Sequence, residues 1–252
     1  MIKNSFLFLP KVGQKTEKNI WAQNIKNWDD FVKTGKVKGF SDKAKRACDR
    51  QIIKASIALR QGNSRFFTNW PANETWRLYE HFRDETVFLD IETTGVTKQD
   101  KLLMVGLYDG YDTKIMLKDI NLDFVNLKKE LGKYKLLITF NGAVFDLPFL
   151  ERTHPGIIPQ IPHIDLRQAC CRIGLKGGLK NIEKSFNIKR EKNISHLNGG
   201  DVYRLWRMAM ASRDKYYLDL LIEYNEEDII NLKQIADYTV RKLTLLSNQQ
   251  IL

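Results

Sequence analysis

Residues 87–95 read VFLDIETTG, an apolar run that ends in two carboxylates, Asp90 and Glu92. Side chains at positions i and i+2 of a β-strand point to the same face, so the two carboxylates are predicted to lie about 7 Å apart along one strand. Burying either carboxylate without a partner costs several kcal/mol. A hard divalent cation binds such oxygens and offsets this cost. Alternatively, the strand ends at Ile91 and both acids face solvent.

Residues 87–95 stand at the head of a pattern in which strands come first and helices follow. The predicted strands are 87–91, 102–108, 113–117, 136–140 and 161–164, and the predicted helices include 123–133 and 216–246. Turns at Gly95 and Gly110 separate the first three strands, which is typical of an antiparallel meander. The pattern predicts an α/β fold, a mixed sheet flanked by helices.

The chain of 252 residues is long enough for one substantial core and a smaller appendage. Residues 1–62 show helical patterns, including 42–61, and are predicted to form a helical basic segment. Residues 63–84 are predicted to connect this segment to an α/β domain at 85–252. The aromatic residues Phe66, Phe67 and Trp70 of the connection either stack on nucleic-acid bases or pack against the following domain.

Positive charge is concentrated in the N-terminal quarter. Residues 1–60 contain 14 lysines and arginines but only 5 acidic residues, whereas residues 85–252 contain 24 and 22. Such asymmetry favours a polyanionic partner, with nucleic acid first and an anionic membrane surface second. A basic face that only confers solubility is the alternative.

Several classes of protein are disfavoured by the composition. Three cysteines, of which Cys170 and Cys171 are adjacent, do not suggest a disulfide framework, and no spacing typical of a zinc site occurs. The apolar run 6–9 is too short for a signal peptide or a membrane span. We therefore expect a protein of a reducing compartment, the cytoplasm, that does not use a membrane.

Two further stretches carry isolated polar groups. Residues 137–150 read LITFNGAVFDLPFL, a strand, an Asn-Gly turn and a helix start, with Asp146 as the only acid. Residues 224–228 read YNEED within a long helical pattern, where Tyr224 and Asp228 share one helix face. A phenol and a carboxylate placed in this way can hold a water molecule and a metal ion side by side.

Together the three stretches resemble the three exonuclease motifs of the DEDD superfamily, which has a ribonuclease H-like fold. They match D-x-E, the N-x-x-x-F-D of family B DNA polymerase proofreading domains, and the Y-x-x-x-D of the tyrosine (DEDDy) branch. The chain is most similar to the YprB-type ribonuclease H-like family across residues 85–246, including HIDL at 163–166 and GLKNIE at 178–183. Three motifs in order, each in its expected structural context, are a specific signal.

The resemblance implies a 3′→5′ exonuclease that releases nucleoside 5′-monophosphates by a two-metal mechanism with Mg²⁺ or Mn²⁺. It implies that Asp90 bridges both metals, that Glu92 and Asp228 assist one, and that Asp146 supports the other through waters. Tyr224 then orients the attacking water. The implied catalytic residues are Asp90, Glu92, Asp146, Tyr224 and Asp228, of which the four acids are metal ligands. Candidate substrate-binding residues are Thr93, Asn141, Phe145 and Lys180.

Single-stranded DNA or a 3′ end is the expected substrate, because the second motif is most similar to that of DNA-proofreading domains. An exoribonuclease with the same site and a non-catalytic nucleic-acid-binding protein are the alternatives. Residues 9–16, LPKVGQKT, resemble the hairpin of helix-hairpin-helix modules, although Lys11 stands where those hairpins usually carry glycine. This segment is expected to hold the nucleic-acid backbone without reading its sequence.

Overall fold

The computed structural model of this chain describes residues 2–251, and side-chain environments for residues 2–249. Five described strands form one sheet: β1 Thr86–Thr93, β2 Leu102–Tyr108, β3 Thr113–Leu117, β4 Leu136–Thr139 and β5 His163–Asp165. The α-helices of these residues are α1 Gln14–Trp21, α2 Trp28–Lys33, α3 Asp42–Arg60, α4 Tyr79–Phe82, α5 Phe124–Leu131, α6 Asp146–Thr153, α7 Leu166–Arg172, α8 Leu179–Ser185, α9 Gly199–Ser212 and α10 Lys215–Ile251. Short 3-10 helices cover Ile2–Asn4, Ser64–Phe67, Ala72–Leu78 and Arg83–Glu85.

The sheet has the strand order β3-β2-β1-β4-β5. The first three strands form the predicted antiparallel meander, while β4 pairs parallel to β1 and β5 parallel to β4. The pairing of β1 with β2 continues through Glu92 to Thr93, beyond the predicted end at Ile91. The alternative in which the strand stops at Ile91 and both acids face solvent is therefore wrong.

The two faces of β1 lie in different layers of the protein. Val87, Leu89 and Ile91 pack with α5 and α6 in one apolar cluster. Phe88 points the other way, into a cluster built with α7 and α10. Because side chains alternate along a strand, Asp90 and Glu92 continue the Phe88 face and are directed toward α10.

The N-terminal helices share a core with the sheet. Buried residues such as Phe6 and Trp28 belong to the same apolar cluster as Phe88 of β1. Phe67 and Trp70 of the connecting segment are buried in it as well, so these two rings pack rather than stack on bases. The division of the chain at residues 62 and 84 stays a prediction.

The hairpin before α1 differs from a complete helix-hairpin-helix module. Lys11 has φ 62°, the left-handed conformation for which glycine is usually selected. The element before the hairpin is only the 3-10 turn Ile2–Asn4, because the apolar run that follows it is drawn inward, with Phe6 and Leu9 buried. The turn and the following helix are present, but the first helix of such a module is not found in residues 2–9.

Helix α10 is long enough to contact both the sheet and the N-terminal helix α1. Its 37 residues extend for about 55 Å, and it contacts β1, β2, α7 and α1 along its length. Tyr224 and Asp228 lie in its first half, beside β1. No helix in the described part of the chain has the length and apolar character needed to cross a membrane.

Candidate active site

Three carboxylates meet where β1 faces α10. Oxygen atoms of Asp90, Glu92 and Asp228 all lie within 4.8 Å of one another. Glu92 and Asp228 are buried, whereas Asp90 is partly exposed. The sequence brings them together through two periodicities, the two-residue repeat of β1 and the helical face of α10.

A glycine in β2 allows α10 to approach the sheet at this point. Gly106 pairs with Asp90 across the strands, and a Cβ atom added to it would lie 1.9 Å from Oδ1 of Asn225. The Nδ2 atom of Asn225 donates a 2.9 Å hydrogen bond to Oδ2 of Asp90, which fixes the carboxylate. Gly106 and Asn225 were missed in the sequence, although a glycine inside a strand is a signal of close approach.

Asp146 binds the same strand, β1, along the edge that β1 shares with β4. Its Oδ1 atom accepts a 3.2 Å hydrogen bond from the backbone N–H of Ile91. Strand β4 pairs with β1 only as far as Phe88, so the first residue of α6 takes over as partner beyond that point. Asp146 is buried beside the three carboxylates but is not a member of their 4.8 Å group.

The Asn-Gly turn that leads to Asp146 is shaped by Asp165. The Asp165 carboxylate accepts hydrogen bonds from the backbone N–H groups of Asn141 at 2.9 Å and Ala143 at 3.2 Å. It also caps α7 by accepting from the backbone N–H of Arg167. Asn141 itself has φ 65° and its side chain accepts a 2.8 Å bond from Arg167. Asn141 therefore makes the turn, and its contact with substrate stays a prediction.

A cavity of about 340 Å³ opens onto the carboxylates. Its lining includes the three carboxylates together with the cationic Lys180 and Arg190 and the ring of Tyr224. A larger cavity of about 920 Å³ lies beside α2 and α3. Asp29 is the only acid that lines this larger cavity among the described residues, so it lacks a comparable set of metal ligands.

The predicted substrate-binding residues occupy different positions relative to the smaller cavity. Lys180 lines it, and its Nζ atom donates to the carbonyl oxygen of Leu197. Thr93, Asn141 and Phe145 are outside its lining. The hydroxyl of Thr93 donates a 2.6 Å bond to the Gly95 carbonyl. The ring of Phe145 packs against a ring of α6 with centroids 5.8 Å apart.

Arg190 is a residue of the cavity that was not singled out in the sequence. It lies in the loop after α8 and forms ion pairs with Glu183 and Asp228. Its guanidinium also lies 5.5 Å from the centre of the Tyr224 ring. In the sequence it belongs to the charged run KREK at 189–192, which has the composition of a solvated loop.

The crowded acids hold protons more tightly than free carboxyl groups. Burial raises the pKa of Asp146 to about 7 and that of Asp228 to about 6, although Arg190 opposes the shift at Asp228. Burial and the neighbouring carboxylates raise the pKa values of Asp90 and Glu92 well above their ordinary range. Burial also raises the pKa of Tyr224, so its phenol stays protonated at neutral pH.

The chemistry of this donor set fits a hard divalent cation. Ligands on opposite sides of Mg²⁺ lie about 4 Å apart, and the three carboxylates offer oxygens within 4.8 Å of one another. Like charges brought this close repel one another and raise their own pKa values, which a cation between them reverses. The structure contains a buried acidic cluster of the kind that a metal ion stabilises.

Comparison with known families gives one match that covers most of the chain. The family model described as the RNase_H superfamily matches residues 87–240. This match agrees with the predicted ribonuclease H-like fold class and with the mixed sheet described above. No curated protein sequence matches the chain significantly.

Solved structures that resemble the chain are distant. The family B DNA polymerase of the hyperthermophilic archaeon Pyrobaculum calidifontis is 15% identical, with a TM-score of 0.46 over 64% of this chain and 24% of the polymerase chain. A nuclease in its apo form is 17% identical, with a TM-score of 0.47 over 72% of this chain and 82% of its own. Brucella melitensis NrnC is 19% identical, with a TM-score of 0.46 over 69% and 81%. The chain thus spans about a quarter of the polymerase's length, and no residue role follows from likenesses this distant.

Proposed function

The chain belongs to the RNase_H superfamily, and from that premise we propose that it is a metal-dependent 3′→5′ exonuclease. One observation carries the proposal: one oxygen each of Asp90, Glu92 and Asp228 converge within 4.8 Å at a cavity that Lys180 and Arg190 also line. A phosphodiester is negatively charged and a poor electrophile. A metal-dependent site for its hydrolysis brings metal ligands and groups that accommodate phosphate to one place.

The proposed roles divide between metal binding and orientation. Asp90, Glu92 and Asp228 would hold the metal, and Asp146, the first residue of α6, would support it. Bound divalent ions, Mg²⁺ or Mn²⁺, lower the pKa of water and neutralise charge on the phosphate. Asn225 keeps the Asp90 carboxylate in place through its 2.9 Å hydrogen bond. Tyr224 remains protonated, so its hydroxyl orients the attacking water and does not act as the base.

Replacing Tyr224 with phenylalanine is expected to lower kcat by about tenfold to a hundredfold, because one misplaced water weakens alignment in the transition state. The value of KM should change little, since the ring that lines the cavity remains. Steady-state kinetics on an end-labelled oligonucleotide measure both constants. Tyr238→Phe, an exposed position on the same helix, is the matched control. An unchanged kcat in Tyr224→Phe would contradict the role.

Single-stranded DNA is the proposed preferred substrate, with RNA as the alternative for the same site. The test uses 5′-labelled single strands of matched DNA and RNA sequence, each with Mg²⁺, with Mn²⁺ and with a chelator. Ladders that shorten one nucleotide at a time while keeping the label would support 3′→5′ removal. Immediate release of labelled mononucleotide would indicate the opposite direction. Binding without cleavage under every metal condition would favour a non-catalytic binding protein.

The basic N-terminal segment is proposed to hold the nucleic-acid backbone. Four exposed cations of α3 recur at intervals of three or four residues and so lie along one helix face: Lys43, Arg46, Arg50 and Lys54. Successive members four residues apart are separated by about 6 Å along the helix axis. This face offers a row of positive charges to a row of phosphates.

Changing these four residues together to glutamine is expected to weaken binding of a single strand and to flatten its salt dependence. The slope of log K against log salt should fall by about 0.7 for each phosphate that the variant no longer binds. Anisotropy titrations of a labelled strand at several salt concentrations measure the slope. Deleting residues 1–60 would be a poorer test, because it removes part of the shared core.

The matched control neutralises four exposed lysines of the α/β domain: Lys98, Lys128, Lys129 and Lys133. This variant should keep the wild-type slope if α3 makes the contacts. An unchanged slope in the α3 variant, or an equal loss in both variants, would contradict a specific role for α3.

A further inference from the structure

Arg190 is held from behind by Glu183. Its Nε and Nη2 atoms donate to the two carboxylate oxygens of Glu183 at 2.8 and 2.6 Å. Glu183 is itself fixed by a 3.0 Å hydrogen bond from Nδ2 of Asn231 on α10. Both side chains of the ion pair are almost fully buried, with 5% and 3% exposure. The guanidinium is therefore set in one orientation before any ligand arrives.

This orientation leaves one nitrogen free beside the acidic cluster. A guanidinium carries its donors in a rigid planar fork. Glu183 occupies the edge formed by Nε and Nη2, and Asp228 accepts from the remaining side of Nη2. Nη1 is thus the second nitrogen at the end of the fork, next to the Nη2 atom that donates to Asp228. It is buried and has no hydrogen-bond partner among the described residues.

A second cation stands near Arg190 across the Tyr224 ring. Nζ of Lys180 lies 5.4 Å from the ring centre and the Arg190 guanidinium lies 5.5 Å from it. Both cations line the cavity that contains Asp90, Glu92 and Asp228. The cavity therefore combines oxygen ligands for a metal with N–H donors for an anion.

We propose that Arg190 and Lys180 form a phosphate-binding site, in which Nη1 of Arg190 donates to a non-bridging oxygen of the substrate's phosphate. The inference rests on the proposed function and identifies the part of the substrate that these two cations bind. Arginine suits this task because it is always charged and its planar donors match the oxygens of phosphate. Glu183 acts as a positioning residue, since it holds the fork without touching the cavity ligand.

Two simpler roles for Arg190 make different predictions. A purely structural ion pair between α8, the following loop and α10 would affect stability alone. A cation that only neutralises Asp228 would affect the affinity for metal, because its removal would make the acidic cluster more attractive to a divalent ion. Neither role predicts that the loss of Arg190 lowers the preference for a phosphorylated ligand.

The test measures binding of a deoxynucleoside 5′-monophosphate and of the same nucleoside without phosphate, by calorimetry in Mg²⁺. Neither ligand contains a bond to be cleaved, so the result does not depend on exonuclease activity. We expect the wild type to prefer the monophosphate. Arg190→Gln should reduce this preference about tenfold or more, the effect of losing one charge-assisted hydrogen bond. Arg190→Lys should recover only part of it.

The control variant is Arg83→Gln. Arg83 lies outside the cavity and pairs at 2.7 Å with Asp237, which is on α10 like Asp228. This variant should keep the full preference. Mg²⁺ binding without nucleotide and the melting temperature are measured for each variant. If Arg190→Gln does not fold, Arg190→Lys decides the result.

An intact monophosphate preference in the Arg190 variants would overturn the proposal, whatever happens to metal affinity or melting temperature. Equal weakening of nucleoside and monophosphate would overturn it too, because only the phosphate should sense Nη1. A wild type that shows the Arg190-dependent preference but cleaves no oligonucleotide would retain the phosphate site and contradict the exonuclease instead.

Discussion

Asp90→Asn is expected to lower phosphodiester hydrolysis by about a thousandfold or more, because a metal ion contributes several kcal/mol to transition-state stabilisation. Asp90 is the central member of the proposed site: it shares a strand face with Glu92, and its oxygens lie within 4.8 Å of those of Asp228. Asparagine retains the shape of the side chain and an oxygen that accepts the hydrogen bond from Asn225. Initial rates on a 5′-labelled single strand in Mg²⁺ measure the loss.

The same substitution is expected to leave the metal-free protein at least as stable as the wild type at pH 8. Removing one of several crowded carboxylates relieves repulsion and the cost of burial. Asp84→Asn, at an exposed position before β1, makes the same chemical change outside the site and should alter neither rate nor stability. Near wild-type hydrolysis by Asp90→Asn would contradict the assignment of the active site.

The metal-free protein is expected to lose stability as the pH rises from about 4 to above 7. A carboxyl group whose pKa is raised on folding binds its proton more tightly in the folded state, so its stabilising effect is lost as the pH rises through the folded pKa. For Asp146 this window runs from its ordinary value of 3.8 to about 7, and for Asp228 from 3.8 to about 6. At about 1.4 kcal/mol per pH unit, Asp146 alone accounts for about 4 kcal/mol.

Thermal unfolding in a chelator between pH 5 and pH 8 measures this dependence, with Asp146→Asn as the reference. The variant should be more stable than the wild type by a few degrees in Tm at pH 5, where the unfolded wild type is already ionised, and by about 10 °C at pH 8. Adding Mg²⁺ or Mn²⁺ should stabilise the wild type more at pH 8 than at pH 5, because the metal binds the ionised acids. A wild-type Tm that follows the variant at every pH would mean that the Asp146 carboxyl ionises without cost.

The parts of the fold that depend on local pattern could be predicted from the sequence. Strands β2 and β3 begin and end at the predicted residues, and the side-chain alternation of β1 placed Asp90 and Glu92 on one face. Asp165 directly precedes α7 and caps it, a role for which aspartate is favoured at that position. Each of these features is decided by residues near one another in the chain, which is where propensity and periodicity operate.

The features that were missed depend on contacts between distant segments. Arg190 reaches Asp228 38 positions along the chain, and no periodicity in the loop reports that contact. Gly106 signals a close approach, but only the fold identifies Asn225 as the approaching residue. Phe67 and Trp70 of segment 63–84 were assigned either to base stacking or to packing, and only their burial in the core shared with the sheet decides for packing.

Helix α10 also carries residues of two separate cavities at a fixed distance from each other. Asp228 lies at the cavity, and Leu243 borders a small cavity together with Lys18 of α1. Along the helix axis these positions are about 22 Å apart. A stacked strand rises about 3.4 Å per nucleotide, so one that touches both places has at least about seven nucleotides. Because one continuous helix carries both positions, this separation does not depend on the loops around either cavity.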